Sequence, residues 1–75
     1  MTIEYKEMLK QLHNGYTFEF QYMNKLHKLT GIDSKAYVLI TYTEDTKNTR
    51  EMKQIVSRKV VHEMYKGMTD ITYAY

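Results

Sequence analysis

The sequence predicts an α+β fold: a small, mostly antiparallel sheet of three to four strands with two helices packed on one face. Three patterns predict it. Apolar residues recur at helical spacing near the N-terminus, aromatic and β-branched residues alternate in two central stretches, and a long amphipathic run occupies residues 45–68. The expected order is helix, strand, a connector able to hold another strand, strand, helix, strand.

The first helix is expected over Thr2 to Asn14. Thr2 can serve as N-cap, Glu4 suits the positive first turn, and Tyr5, Met8, Leu9 and Leu12 form one apolar stripe. Asn14-Gly15 supplies the stop. Tyr16 to Tyr22 then changes period to two, with Tyr16, Phe18, Phe20 and Tyr22 on one side and Thr17, Glu19 and Gln21 on the other. A helical reading of this stretch stopping at Gly31 is the alternative.

Between Met23 and Lys35 alternation fails. Leu26, Leu29 and Ile32 recur every third residue, which suits a helical turn or an irregular strand equally, and Gly31 with Asp33-Ser34 marks a turn. Ala36 to Thr43 is the strongest strand pattern. Val38, Ile40 and Tyr42 form one row while Tyr37 and Leu39 place apolar groups on the other, so the strand is expected to be central or covered on both faces. Thr69 to Tyr75 alternates again and reads as a short closing strand.

The stretch from Asp45 to Met68 is read as one long helix. Asn48 and Glu51 have capping-box spacing, Gly67 is placed as a left-handed terminator, and Met52, Ile55, Val56, Val60, Val61, Met64 and Tyr65 form its apolar side. That apolar direction drifts along the helix. Either the helix bends near Ser57, or its C-terminal half is covered a second time, by the first helix or by a second chain in a homodimer.

Seventy-five residues are expected to make a single domain, residues 1–75, close to the smallest size that supports one core. The chain has no cysteine, so neither a disulfide framework nor a thiolate metal cluster can form. Charges within MTIEYKEML argue against a secretory signal, and the apolar runs are too short to span a bilayer. A soluble, cytoplasmic protein without membrane contact is expected.

The net charge of +2 is unevenly placed: +1 over residues 1–30, −2 over 31–46, +4 over 47–68 and −1 over 69–75. Lys47, Arg50, Lys53 and Arg58 fall in one arc of the expected long helix, and Lys25, His27 and Lys28 make a second, smaller basic group. Such an arc attracts phosphates or an acidic protein surface, although long basic side chains also simply solvate a helix.

No motif names a reaction. His13, His27 and His62 lie in three segments without metal-ligand spacing, so no metal site is expected. Ser34 and Ser57 have no nucleophile-elbow context, the adjacent acids Glu44 and Asp45 suit a helix start, and no glycine-rich phosphate loop exists. The expectation is a protein that is not an enzyme and takes no cofactor.

Eight tyrosines and six methionines favour contact surfaces. Tyr37, Tyr65, Tyr73 and Tyr75 are therefore candidate partner-binding residues, with the basic arc Lys47, Arg50, Lys53 and Arg58 to steer a protein partner. The alternative function is nucleic-acid binding by the same arc. The bias toward Lys, Tyr, Asn, Thr and Ile suits an AT-rich coding sequence, as in phages and mobile elements. The layout of a helix, a few strands and a basic helix resembles small phage-encoded inhibitors of host enzymes. That resemblance implies action by occupying a surface, as an inhibitor or regulator of a host protein.

Overall fold

Apolar stripes and alternating aromatics produce the elements they predict at the N-terminal end of the chain. In the computed structural model, which describes residues 3–33, 35–44 and 49–74, the elements are α1 (Tyr5–His13), β1 (Thr17–Tyr22), β2 (Lys25–Gly31), β3 (Ala36–Glu44), β4 (Thr49–Ser57), α2 (Arg58–Tyr65) and β5 (Thr69–Ala74). The fold is α+β. Its sheet has five strands rather than three or four, ordered β4-β3-β2-β1-β5 with every neighbouring pair antiparallel.

Helix α1 begins after Glu4 and buries Met8 and Leu12, with Tyr5 and Leu9 half-buried beside them. Thr2, expected as its cap, lies outside the described residues. Asn14-Gly15 ends it as expected. Gly15 takes a φ of 94°, its amide reaches the Leu12 carbonyl (3.2 Å), and the Tyr16 amide reaches that of Gln11 (3.0 Å). This double closure satisfies carbonyls the helix end would leave unpaired.

Phe18 and Phe20 of β1 point to the helix side, as their alternation requires. The connector after them is a full strand. Met23 and Asn24, with φ of 50° and 62°, form a two-residue hairpin loop of left-handed residues whose turn matches the right-handed twist of the flanking strands. The signal was hidden because Met replaces the expected Asn or Gly in the loop. It was hidden again because the inward row of β2 is Lys25, His27, Leu29 and Gly31, with one large apolar residue. Gly31 is a packing requirement rather than a turn: a Cβ there would stand 2.8 Å from the Leu12 carbonyl oxygen of α1. The turn itself is made by Asp33, whose carboxylate accepts from the Lys35 and Ala36 amides at 2.7 and 2.9 Å; Ser34 lies outside the described residues.

The long helix expected over residues 45–68 does not form. Residues 49–57 are β4, which pairs with β3 along its whole length, from Glu44↔Thr49 to Ala36↔Ser57. Arg, Glu, Met, Lys and Gln in this strand favour helix by a few tenths of a kcal/mol each. Propensity of that size yields to tertiary context, here the pairing with β3 and the burial of Val56 in the core. Helix α2 starts at Arg58 with Ser57 as its cap, the hydroxyl accepting from the Val60 amide at 3.4 Å. The drift in apolar direction thus marks the junction at Ser57, but of a strand with a helix. Asn48 of the expected capping box lies outside the described residues, and its partner Glu51 is on β4. Gly67 does not close the helix in a left-handed conformation; it makes room for Tyr22, whose ring would lie 3.0 Å from an added Cβ.

Both helices lie on one side of the sheet. Met8, Leu12, Val61 and Met64 from the helices meet Phe18, Phe20, Leu29, Tyr37, Leu39 and Val56 from the strands in one core. Tyr5 joins the helices, with its ring 4.7 Å from His62 and 5.3 Å from Tyr65. Strand β5 closes the far edge with a register shift opposite Glu19 and Gln21 and a positive φ at Asp70.

Two stability measurements follow from this packing. Gly31→Ala should lower the unfolding free energy by about 1–3 kcal/mol, because α1 must lift to admit the methyl group. Replacing the loop by Asn-Gly (Met23→Asn with Asn24→Gly) should raise it by about 1 kcal/mol, since Met23 is 77% exposed and loses no packing. Urea titrations of both variants read these changes directly.

Candidate binding face

The strand registers determine what the side away from the helices presents. One row across the sheet reads Ile55, Val38, Thr30, Thr17 and Ala74; the next reads Lys53, Ile40, Lys28, Glu19 and Thr72; a third reads Glu51, Tyr42, Leu26 and Gln21. Among the described residues no helix or loop element lies over this face. Val38, Ile40, Tyr42 and Leu26 are half-buried by their neighbours, and Ile55 is 73% exposed. Together they make a continuous apolar centre toward the β4 side.

Polar groups frame that centre in an ordered way. The Lys28 ammonium sits 5.5 Å from the Tyr42 ring centroid, a cation–π contact between β2 and β3. The Thr17 and Thr30 hydroxyls meet at 3.0 Å across β1 and β2. Within these three rows Lys28 and Lys53 are matched in number by Glu19 and Glu51.

The residues singled out from sequence are not assembled into a site. Lys47 and Tyr75 lie outside the described residues, as does Asp45 of the acidic pair. Arg50 and Lys53 stand three apart on a strand and so point to opposite sides, Arg50 toward the helix side and Lys53 to the open face, while Arg58 opens α2. The arc that a helix would have created is absent. Likewise His27 is buried, and Lys28 points away from it.

The tyrosines are mostly internal. Tyr37 is fully buried, its hydroxyl 3.1 Å from His13 Nε2, so it is a core residue and not a contact residue of the folded chain. Tyr65 is half-buried and donates its hydroxyl to the Ile3 carbonyl. Tyr73 is 44% exposed but lies against Phe18 and Tyr16 on the helix side of β5. The residues of the open face that sequence reasoning passed over are Leu26, Val38, Ile40, Tyr42 and Ile55. Their signal was present in β3, where both rows are apolar. Two apolar rows suit a central strand or one covered on both faces, and the pattern alone does not distinguish the outward row from the buried row of Tyr37 and Leu39.

The buried polar groups have structural partners. His27 Nε2 donates to the Tyr22 carbonyl at 3.1 Å, which leaves Nδ1 to accept from the Thr41 hydroxyl at 3.1 Å in the neutral ring. The ring stacks on Phe20 at 5.5 Å. Among the described residues no group of three His, Asp or Glu side chains could hold a metal ion, and no helix is long and apolar enough to cross a membrane. No known family model, curated protein or solved structure matches the chain.

The acidity of Tyr5 is shifted by its surroundings. Burial between the helices pushes its hydroxyl above the ordinary value of 10.0, Tyr37 adds to this, and Arg58 pulls the other way. Because the fold favours the neutral ring, this contribution is complete below about pH 10 and is lost as pH rises through the folded value. Stability measured from pH 9 to 12 should therefore fall less steeply in Tyr5→Phe than in the parent chain.

Proposed function

We propose that the protein is a non-enzymatic binding module that docks onto another protein through the open face of its sheet. The observation that carries this reading is the apolar centre of Val38, Ile40 and Ile55 on the side that neither helix covers. Antiparallel sheets ordinarily turn polar residues to water on such a side. A contiguous apolar patch rimmed by polar residues is a recurrent mark of protein contact.

Charge selects the class of partner. Charges of both signs, Lys28 and Lys53 with Glu19 and Glu51, surround the centre, so the face offers no uniform field to a phosphate backbone. A protein surface with an apolar core and mixed charges at its rim complements it better. The compositional bias favours a particular form of this function, an inhibitor or regulator carried by a phage or mobile element and acting inside the host cytoplasm on a host protein. Such a protein needs surface and no reaction chemistry.

The test places a photo-crosslinking amino acid at Ile55, on the open face, or at Lys59, on α2, in cells that make the protein. A discrete protein adduct is expected from Ile55 alone and should disappear when Ile40→Asp is added, with the circular dichroism spectrum unchanged. An adduct of equal yield from Lys59, or one destroyed by nuclease, would overturn the reading.

A further inference from the structure

The two edges of the sheet are built differently. Strand β5 is short, shifts register against β1 and carries a left-handed residue at Asp70. These are devices that keep an edge from pairing with another strand. Strand β4 has none of them. It runs for nine residues in unbroken register with β3, has no proline, and every residue from Thr49 to Ile55 is exposed. Among the described residues no strand lies on its outer side, so a row of backbone donors and acceptors faces outward.

The sequence of this edge is complementary to itself. A two-fold axis through an antiparallel strand pair must set one residue opposite its own copy, because hydrogen-bonded and non-hydrogen-bonded pairs alternate along the ladder. Centring the axis on Glu51 or on Lys53 sets like charges face to face. Centring it on Gln54 opposes Met52 to Val56, whose side chain is already buried beside α2. Centring it on Met52 sets Glu51 opposite the partner's Lys53, and Lys53 opposite the partner's Glu51, both on the open face. Cross-strand pairs of opposite charge stabilise a sheet, and like pairs oppose it.

We propose that two copies of this chain pair antiparallel through β4, with Met52 on the two-fold axis. The contact spans residues 49–55 of each copy and joins two five-stranded sheets into one of ten strands. Directly opposed residues share a face, so both pairs of helices lie on one side and both open faces merge on the other. The two Glu51–Lys53 pairs then sit at the middle of the combined face. The pairing uses the strand edge and leaves Val38, Ile40 and Tyr42 where they are, but it takes in Ile55, so an adduct of two copies formed at position 55 reports the pairing and only an adduct with a different protein reports the open-face reading.

Sedimentation velocity on the intact chain, from about 10 μM to about 1 mM, tests the pairing. The weight-average mass should rise from the 9.1 kDa of one chain toward twice that value. Lys53→Glu should weaken the dimer about tenfold or more, and the exchange Glu51→Lys with Lys53→Glu should restore it. A mass fixed at 9.1 kDa throughout, or an exchange variant no better than Lys53→Glu alone, would overturn the proposal. Because the chain has no cysteine, Met52→Cys gives a second reading. It should cross-link to a disulfide dimer under mild oxidation far faster than Thr72→Cys beside the other edge, and equal rates would count against the pairing.

Discussion

Everything in this molecule depends on the helix-facing side of the sheet being sealed by two short helices. Five strands at about 4.8 Å spacing make a face roughly 20 Å wide, and two helices of about 10 Å diameter cover that width once. With nine and eight residues respectively, α1 and α2 leave nothing over for a second layer. The core is accordingly one-sided: Met8 and Leu12 from above, Val61 and Met64 beside them, and the inward rows of the strands below. Close approach is what makes so thin a core work. Gly31 lets the backbone of α1 come within contact of β2, and Gly67 lets the Tyr22 ring fold against the end of α2.

A one-sided core also explains the use of tyrosine. Seen along the chain, tyrosines exceed what a small interior needs, but several are interior groups with a polar end placed at a helix terminus. Tyr37 reaches from the start of β3 to His13 in the last turn of α1, and Tyr65 reaches from α2 to the carbonyl of Ile3 before α1 begins. Each spends its hydroxyl on tying a helix to the rest of the fold. His27 serves the sheet in the same way, fastening the Met23-Asn24 hairpin to β3 through Tyr22 and Thr41.

Legibility of the sequence followed the strength of the burial pattern. Where an element buries one clean side, as α1, β1 and β3 do, period alone located it. Strand β2 was obscured because its inward row contains a histidine and a glycine, which are chosen for a hydrogen bond and for clearance rather than for hydrophobicity. Strand β4 was misread for a deeper reason. Being at an edge and covered at one end, it buries only Val56, so its composition answers to water and reads as a helix. The basic arc was a product of that misreading. Arg50 and Lys53 share a side at helical spacing and are on opposite sides at strand spacing. The open face was written in the outward row of β3 all along, as Val38, Ile40 and Tyr42, but sequence cannot say which of two apolar rows receives the helices.

The same economy shapes the chemistry the protein presents. A domain that spends its buried area on one face of its sheet leaves the side chains of the other face at the surface. What it can offer at low cost is a flat, ordered surface whose side chains are already held in place by strand pairing. Lys28 over Tyr42 and Thr17 against Thr30 illustrate this, since each pair is in contact within the single chain. Ordering side chains on binding costs about 0.5–1.5 kcal/mol for each flexible group, so a face that is pre-ordered keeps more of its contact energy as affinity. In this reading the constraint that leaves half the sheet uncovered is also what makes that half a usable binding surface.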